Sequence, residues 1–149
     1  MGSAPLRFCV DSGHGVIAGP QGKGDREGVR RAISDLVAFA KAADRAGVDS
    51  FWLSEDPDGW EATQLLAIIG WETERLRVGP GVFNPWFRHP ALIAASISTL
   101  DVVSDGRLTV GIGAGYRPEE LAHVGVPHGE RFARLEEALE LIDLVWAGE

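Results

Sequence analysis

The sequence predicts an α/β fold on parallel strands, and three observations lead there. Short apolar runs alternate with stretches of helical periodicity four times along the chain. Each short run ends in glycine, proline or acidic residues, as a strand does where it passes into a loop. The intervening stretches repeat apolar residues at spacings of three and four, which gives each one a single buried face. Strands linked through helices in this way lie parallel, with right-handed crossovers.

Leu6 to Val10 reads as the first strand, and DSGHGVIAGPQGKG after it is a loop by its glycine and proline content. From Arg26 the positions Val29, Ile33, Leu36, Val37, Ala40 and Ala43 share one helical face, and Gly47 supplies the left-handed residue that stops the helix. VDSFWLSED is the second strand, with Phe51 and Leu53 to one side, Trp52 to the other and an acidic end. In DGWEATQLLAIIGWET, Asp58 is placed as the cap with Glu61 reaching back to it, so a second helix is expected from near Trp60. LRVGPGVF is the third strand, and HPALIAASISTLDVVSDG a third helix with Pro90 in its first turn and Gly106 at its end. RLTVGIG, Arg107 to Gly113, is the fourth strand. Pro118, Glu119 and Glu120 open a further helix that pauses at GVPHG. The last helix aligns Phe132, Leu135, Leu139, Ile142 and Trp146 on a stripe expected to face the core, with Glu136, Glu137, Glu140 and Asp143 toward water.

Four such units suit an open doubly wound sheet or a (β/α)8 barrel, which takes eight units and about 250 residues. A small flavodoxin-like sheet needs a fifth strand after Trp146, where none is seen. By count, residues 1–149 are one domain holding the first four βα units of a TIM-barrel type fold, a half barrel; MGSAP at the start reads as tag-like and is set aside. A net charge of −8 without a Lys/Arg stripe argues against nucleic acid or an anionic membrane surface as partner. Cys9 is the only cysteine, which excludes an intramolecular disulfide and fits a reducing cytoplasm. The apolar runs are broken well short of ~18 residues and no basic stretch precedes an apolar one, so neither a membrane span nor a signal peptide is expected.

The familiar catalytic motifs are missed narrowly. A dinucleotide fingerprint from Gly111 and Gly113 meets Tyr116 where its third glycine belongs, and one from Gly113 meets Pro118. Gly22 and Lys23 are followed by Gly24 rather than Ser or Thr, and Ile17 stands where a P-loop needs glycine. His123 and His128 lack the one-face spacing of a helical zinc pair, so no metal is expected. In parallel α/β folds the ligand lies beyond the carboxyl ends of the strands. That rule selects Asp11, Ser12 and His14; Glu55, Asp56 and Trp60; Gly81, Val82, Asn84 and Trp86; and Gly113, Gly115 and Tyr116. Each has an ordinary structural alternative: Glu55 and Asp56 as helix-entry acids, Trp60 as a staple under a helix, Asn84 with Pro85 as a turn pair, and Arg88 as a bridge to a neighbouring acid. Together they offer aromatic faces, bare backbone and few nucleophiles, a mouth suited to a planar cofactor that brings its own reactivity.

Three stretches, AGVDSFWLSED, LRVGPGVFNPWFRHPALIAASISTLDVVSDGRLTVGIGAGYRPEEL and GVPHGERFARLEEALELIDLVW, cover most of residues 40–147. In that order they resemble the luciferase-like monooxygenase superfamily, the flavin- and deazaflavin-dependent oxidoreductases related to bacterial luciferase. The resemblance implies a TIM barrel with FMN or a deazaflavin (coenzyme F420) at the strand ends and a small-molecule substrate. It implies a bulge with a non-prolyl cis peptide at Gly81-Val82 behind the ring, room for ring or substrate at Gly113 and Gly115, and ring or substrate contacts from Asn84 and Trp60. Asp56 is then the acid/base candidate, with Tyr116 lining the mouth. The chain departs from deazaflavin-dependent relatives twice: Glu55-Asp56 replaces their Asp-His, and Tyr116 replaces an acid after the last glycine. Family members are about twice as long and bind phosphate after later strands, so the resemblance implies a truncated or split form that pairs as a homodimer or with a complementing C-terminal half. A non-catalytic half-barrel assembly module is the alternative.

Overall fold

Parallel pairing organises the molecule: β1 (Cys9–Asp11), β2 (Ser50–Leu53) and β3 (Arg77–Pro80) form one sheet in the order β1-β2-β3. In register, Val10 faces Phe51 and Phe51 faces Val78, so alternate residues of each strand point to the same side. The computed structural model describes residues 7–11, 26–55 and 61–148. Ser12 and His14, and the expected cap Asp58, lie outside these. The first strand begins later than the apolar run suggested, and ends at Asp11.

Helix α1 (Arg26–Ala46) ends at Gly47, whose φ of +80° is the left-handed turn expected of it. Helix α2 (Ala62–Glu72) begins about one turn after position 58: Glu61 is its N-cap, and its own carboxylate accepts from the Gln64 amide at 3.2 Å. Glu61 thus caps the helix itself, because its β-region backbone turns the side chain onto the first free amides. Helix α3 (Pro90–Val103) has Pro90 in its first turn, and His89 caps it. A short α4 (Pro118–His123) and a 3-10 turn (His128–Glu130) lead into α5 (Arg131–Ala147).

One core lies between the sheet and α1 and α2. Phe51, Leu53 and Val78 meet Leu36, Ala40, Leu66, Ile69 and Leu76 there. A second core joins Phe83 to Ile93, Ala94 and Ile97 of α3 and Ile142 of α5. Two polar devices hold the loops around them. Asp44 accepts three main-chain amides, from Glu74, Arg75 and Leu76 at 2.8–3.1 Å, and pins the turn before β3. Arg107 donates to the carbonyls of Gly70, Thr73 and Leu76, which closes the end of α2 where carbonyls lack helical partners.

Two expectations are corrected. Residues 107–113 run parallel beside β3 but do not form a regular fourth strand. They make isolated bridges, Leu108 to Val78 and Ile112 to Phe83. Between these bridges the β3 side advances five residues and its partner four, so one extra residue bulges out and breaks the ladder. The stripe on α5 is not uniformly buried either. Ala138 and Ile142 are enclosed, whereas Phe132, Leu139 and Trp146 are exposed, because α3 is the helix α5 packs against and it covers only a narrow line. Trp146 turns its indole N–H to the Ala94 carbonyl and the Ser98 hydroxyl of α3.

Candidate functional site

The bulge marks the site. Immediately after β3 the Gly81-Val82 peptide is cis. Gly81 donates its amide to the Leu53 carbonyl at 2.8 Å and accepts at its own carbonyl from the Ser54 hydroxyl at 3.3 Å, so the ends of β2 and β3 are tied together. Val82 is 43% exposed and its methyls reach the neighbouring segment. A β-carbon at Gly113 would stand 2.6 Å from Val82 Cγ2, and one at Gly111 would stand 2.9 Å from the Pro80 carbonyl oxygen. The alternating glycines are therefore required by the bulge itself: the space beside Gly113 holds the Val82 side chain. Gly115, with φ of +69°, passes within reach of the Asn84 amide group, 3.0 Å from a β-carbon placed there.

Asn84 is buried and works within the turn that follows the bulge. Its side-chain oxygen accepts from the Trp86 amide at 3.2 Å, an Asx turn, as the ordinary reading of Asn84 before Pro85 expects. Trp86 in turn donates its indole N–H to the Ala114 carbonyl at 2.9 Å. Around this turn a cavity of about 140 Å3 is lined by Ser54, Glu55, Val82, Asn84, Tyr116 and Arg117, among others. Tyr116 stands at its lip, largely exposed, under the guanidinium of Arg117, which also pairs with Glu120 at 2.7 Å. Gly81, Val82, Asn84 and Tyr116 are thus brought together, and Gly113 backs the bulge. Asp56 and Trp60 lie outside the described residues.

The residue that the sequence undervalued is Glu55. Its side chain is only 6% exposed. One carboxylate oxygen accepts the Asn84 amide at 2.8 Å and the other accepts from Arg88, which also bonds Glu61. Burial pushes the Glu55 carboxyl above its ordinary value, and the Asn84 amide and Arg88 oppose that without cancelling it. Burial acts in the same sense on Glu61, but there the Thr63 hydroxyl and Arg88 prevail and the carboxyl is held below its ordinary range. Arg88 also lies 5.2 Å from the centre of the Phe83 ring, and its buried Nε has no hydrogen-bond partner among the described residues. The available signal was Arg88 itself, a cation in the otherwise uncharged turn NPWFRHP, which had to find a counter-charge.

Among the described residues no group of three or more His, Cys, Asp or Glu is placed to hold a metal ion, and no helix is long and apolar enough to cross a membrane.

Parallel strands, a bulged third strand end and a pocket beyond it define an α/β protein with a candidate site at the strand termini. The model of the luciferase-like monooxygenase family matches residues 12–149, and the chain belongs to that family. An F420-dependent glucose-6-phosphate dehydrogenase of Beutenbergia cavernae is 37% identical over an alignment of 130 positions, covering 79% of this chain and 38% of that one. Among solved structures, a monooxygenase from Streptomyces bottropensis superposes with a TM-score of 0.79 at 25% identity over 95% of this chain and 43% of its own. The oxygenating constituent of 3,6-diketocamphane monooxygenase from Pseudomonas putida, solved with FMN, gives 0.78 at 21% identity over 95% of this chain and 39% of its own, a likeness of fold. The chain therefore spans well under half the length of the relatives it matches.

Proposed function

We propose that this chain carries part of the active face of a flavin- or deazaflavin-dependent oxidoreductase, as the first four βα units of a (β/α)8 TIM barrel. The observation that carries the reading is the bulge after β3, where Gly81 and the half-exposed Val82 line a cavity shared with Asn84 and Tyr116. Membership of a family whose relatives include F420-dependent and FMN-bound members supports the same cofactor classes here.

The residues present fit one edge of a planar ring. Val82 offers an apolar contact at the bulge, while Ser54 and Asn84 add polar atoms beside it. The cavity, about 140 Å3, is below the roughly 300–1,000 Å3 of small-molecule pockets, so these residues form one wall and further chain completes the enclosure. When bound, the cofactor supplies the redox chemistry: hydride exchange for a deazaflavin, hydride exchange or oxygen activation for FMN. This chain's part is to bind and orient. The bulge at Gly81-Val82 would back the ring, with Gly113 letting it seat; Asn84 and Trp60 would contact ring or substrate, and Asp56 and Tyr116 would handle protons. A cofactor phosphate would be held by later strands, as in many barrels.

Partners follow from the same reading. Phe132, Leu139, Leu144 and Val145 leave apolar surface open on α5. A complementing C-terminal half, or a second copy, covers that flank. The test is titration of the chain with FMN and with coenzyme F420, followed by tryptophan quenching and ring absorbance, with light scattering on the same samples. Saturable binding of either cofactor is expected. Absence of a saturable change with both defeats the reading.

A further inference from the structure

Glu55 stands at the junction of three elements. It follows β2, accepts the Asn84 amide of the turn after the bulge, and shares Arg88 with Glu61 at the N-cap of α2. Each of its oxygens already has a strong partner, so it is poorly placed to pass protons to a substrate. Its geometry is that of a brace. A carboxylate this buried depends on both contacts, since losing Arg88 leaves uncompensated charge and losing the Asn84 amide leaves a buried oxygen without a donor. Bonds to a charged group are also the stronger kind, which lets one side chain fix the turn's position.

We propose that Glu55 is the positioning residue of the strand-end pocket: by gripping the Asn84 amide and Arg88 together, it sets where turn 84–88 stands relative to Gly81-Val82. The proposal rests on the strand-end cofactor reading for its consequence, though its geometric core does not. Around it lie Arg88 and Glu61, and the same cavity is lined by Tyr116, Arg117 and Glu120. Arg117 and Glu120 satisfy each other, which leaves Arg88 as the cation that Glu55 engages. Glu55→Gln keeps the volume but turns an amide group toward either Arg88 or Asn84. Glu55→Asp keeps the charge but falls one methylene short of spanning both partners.

The test is carried out on the whole chain, with Glu55→Gln, Glu55→Asp and Arg88→Lys. Amide hydrogen exchange is followed across residues 81–88, and affinities for FMN and coenzyme F420 are measured by fluorescence titration. In Glu55→Gln, exchange at Asn84 and Phe87 is expected to rise at least about tenfold, and affinity to fall by about the same factor; Glu55→Asp and Arg88→Lys fall between this variant and wild type. Should Glu55→Gln not fold, the two milder variants carry the comparison. Unchanged exchange in the turn overturns the proposal, as does raised exchange with cofactor affinity equal to wild type. If wild type binds neither cofactor, the functional reading fails on its own, and the exchange data still decide whether Glu55 holds the turn.

Discussion

The indole of Trp52 rests against the bare α-carbon of Gly81: a β-carbon built there would stand 3.3 Å from ring atom Cε3. The same ring covers Gly79, and Trp52 is anchored by its N–H to the Ser50 hydroxyl at 2.9 Å. Trp52 points away from the helix-facing core of Phe51 and Leu53, so it floors the opposite side of the sheet, directly beneath the bulge.

Gly79 is the less replaceable of the two glycines. Its added β-carbon would lie 1.8 Å from the Thr109 carbonyl oxygen, a backbone atom that cannot swing aside. Gly79→Ala is expected to cost at least the upper end of the roughly 1–3 kcal/mol typical of overpacking. Gly81→Ala, which meets only the Trp52 side chain, is expected to cost less. Urea midpoints compare them, and equal midpoints for Gly79→Ala and wild type contradict the close approach.

Gly113 and Val82 should be coupled. Gly113→Ala pushes into Val82 Cγ2 and is expected to destabilise by about 1–3 kcal/mol. Combining it with Val82→Ala removes the obstructing methyls and should recover much of that loss. A double-mutant cycle with an interaction energy near zero would show that the glycine serves something other than the bulge.

Arg107 closes α2 through main-chain carbonyls, and its guanidinium also donates to the Thr73 hydroxyl. Arg107→Ala leaves several carbonyls short of a donor and is expected to lose about 1.5–3 kcal/mol, the range for hydrogen bonds to a charged group. Arg107→Lys should recover only part, since an ammonium cannot spread over the same set. Thermal melts of both variants check this; a lysine variant as stable as wild type refutes the role of the fork.

Acid and neutral pH should pull stability in opposite directions. Burial raises the Asp44 carboxyl, but three backbone amides and Arg75 outweigh it, so its folded pKa lies below 3.8. A depressed carboxylate contributes stability above 3.8 that is lost as pH falls through the folded value. Glu61, held below 4.5, acts in the same sense. Glu55 acts oppositely: its folded pKa is above 4.5, so the folded state binds its proton more readily and stability declines as pH rises from 4.5 through that value. Denaturant unfolding across this range should show the acid loss shrink in Asp44→Asn and the decline above pH 4.5 vanish in Glu55→Gln. Persistence of that decline in Glu55→Gln assigns it to another group.

Sequence alone determined the local grammar of this protein: the α/β alternation, α1 running from Arg26 to its stop at Gly47, Pro90 opening α3, and Gly106 with its φ of +72° closing the turn after it. Those signals come from residues within a turn or two of each other, where backbone conformation and side-chain spacing act directly. The motif stretches also placed Gly81, Val82, Asn84 and Tyr116 at strand ends, and the fold brings them around one cavity. Only the tertiary structure decided that Glu55 is a buried brace, that Glu61 shares Arg88 with it, that a bulge after β3 interrupts its pairing with residues 107–113, and that the space beside Gly113 belongs to Val82. Those facts join residues some 27 to 33 positions apart, such as Glu55 with Arg88. Such pairs meet according to how helices and strands dock, and docking is set by packing across the whole core, which no local pattern records.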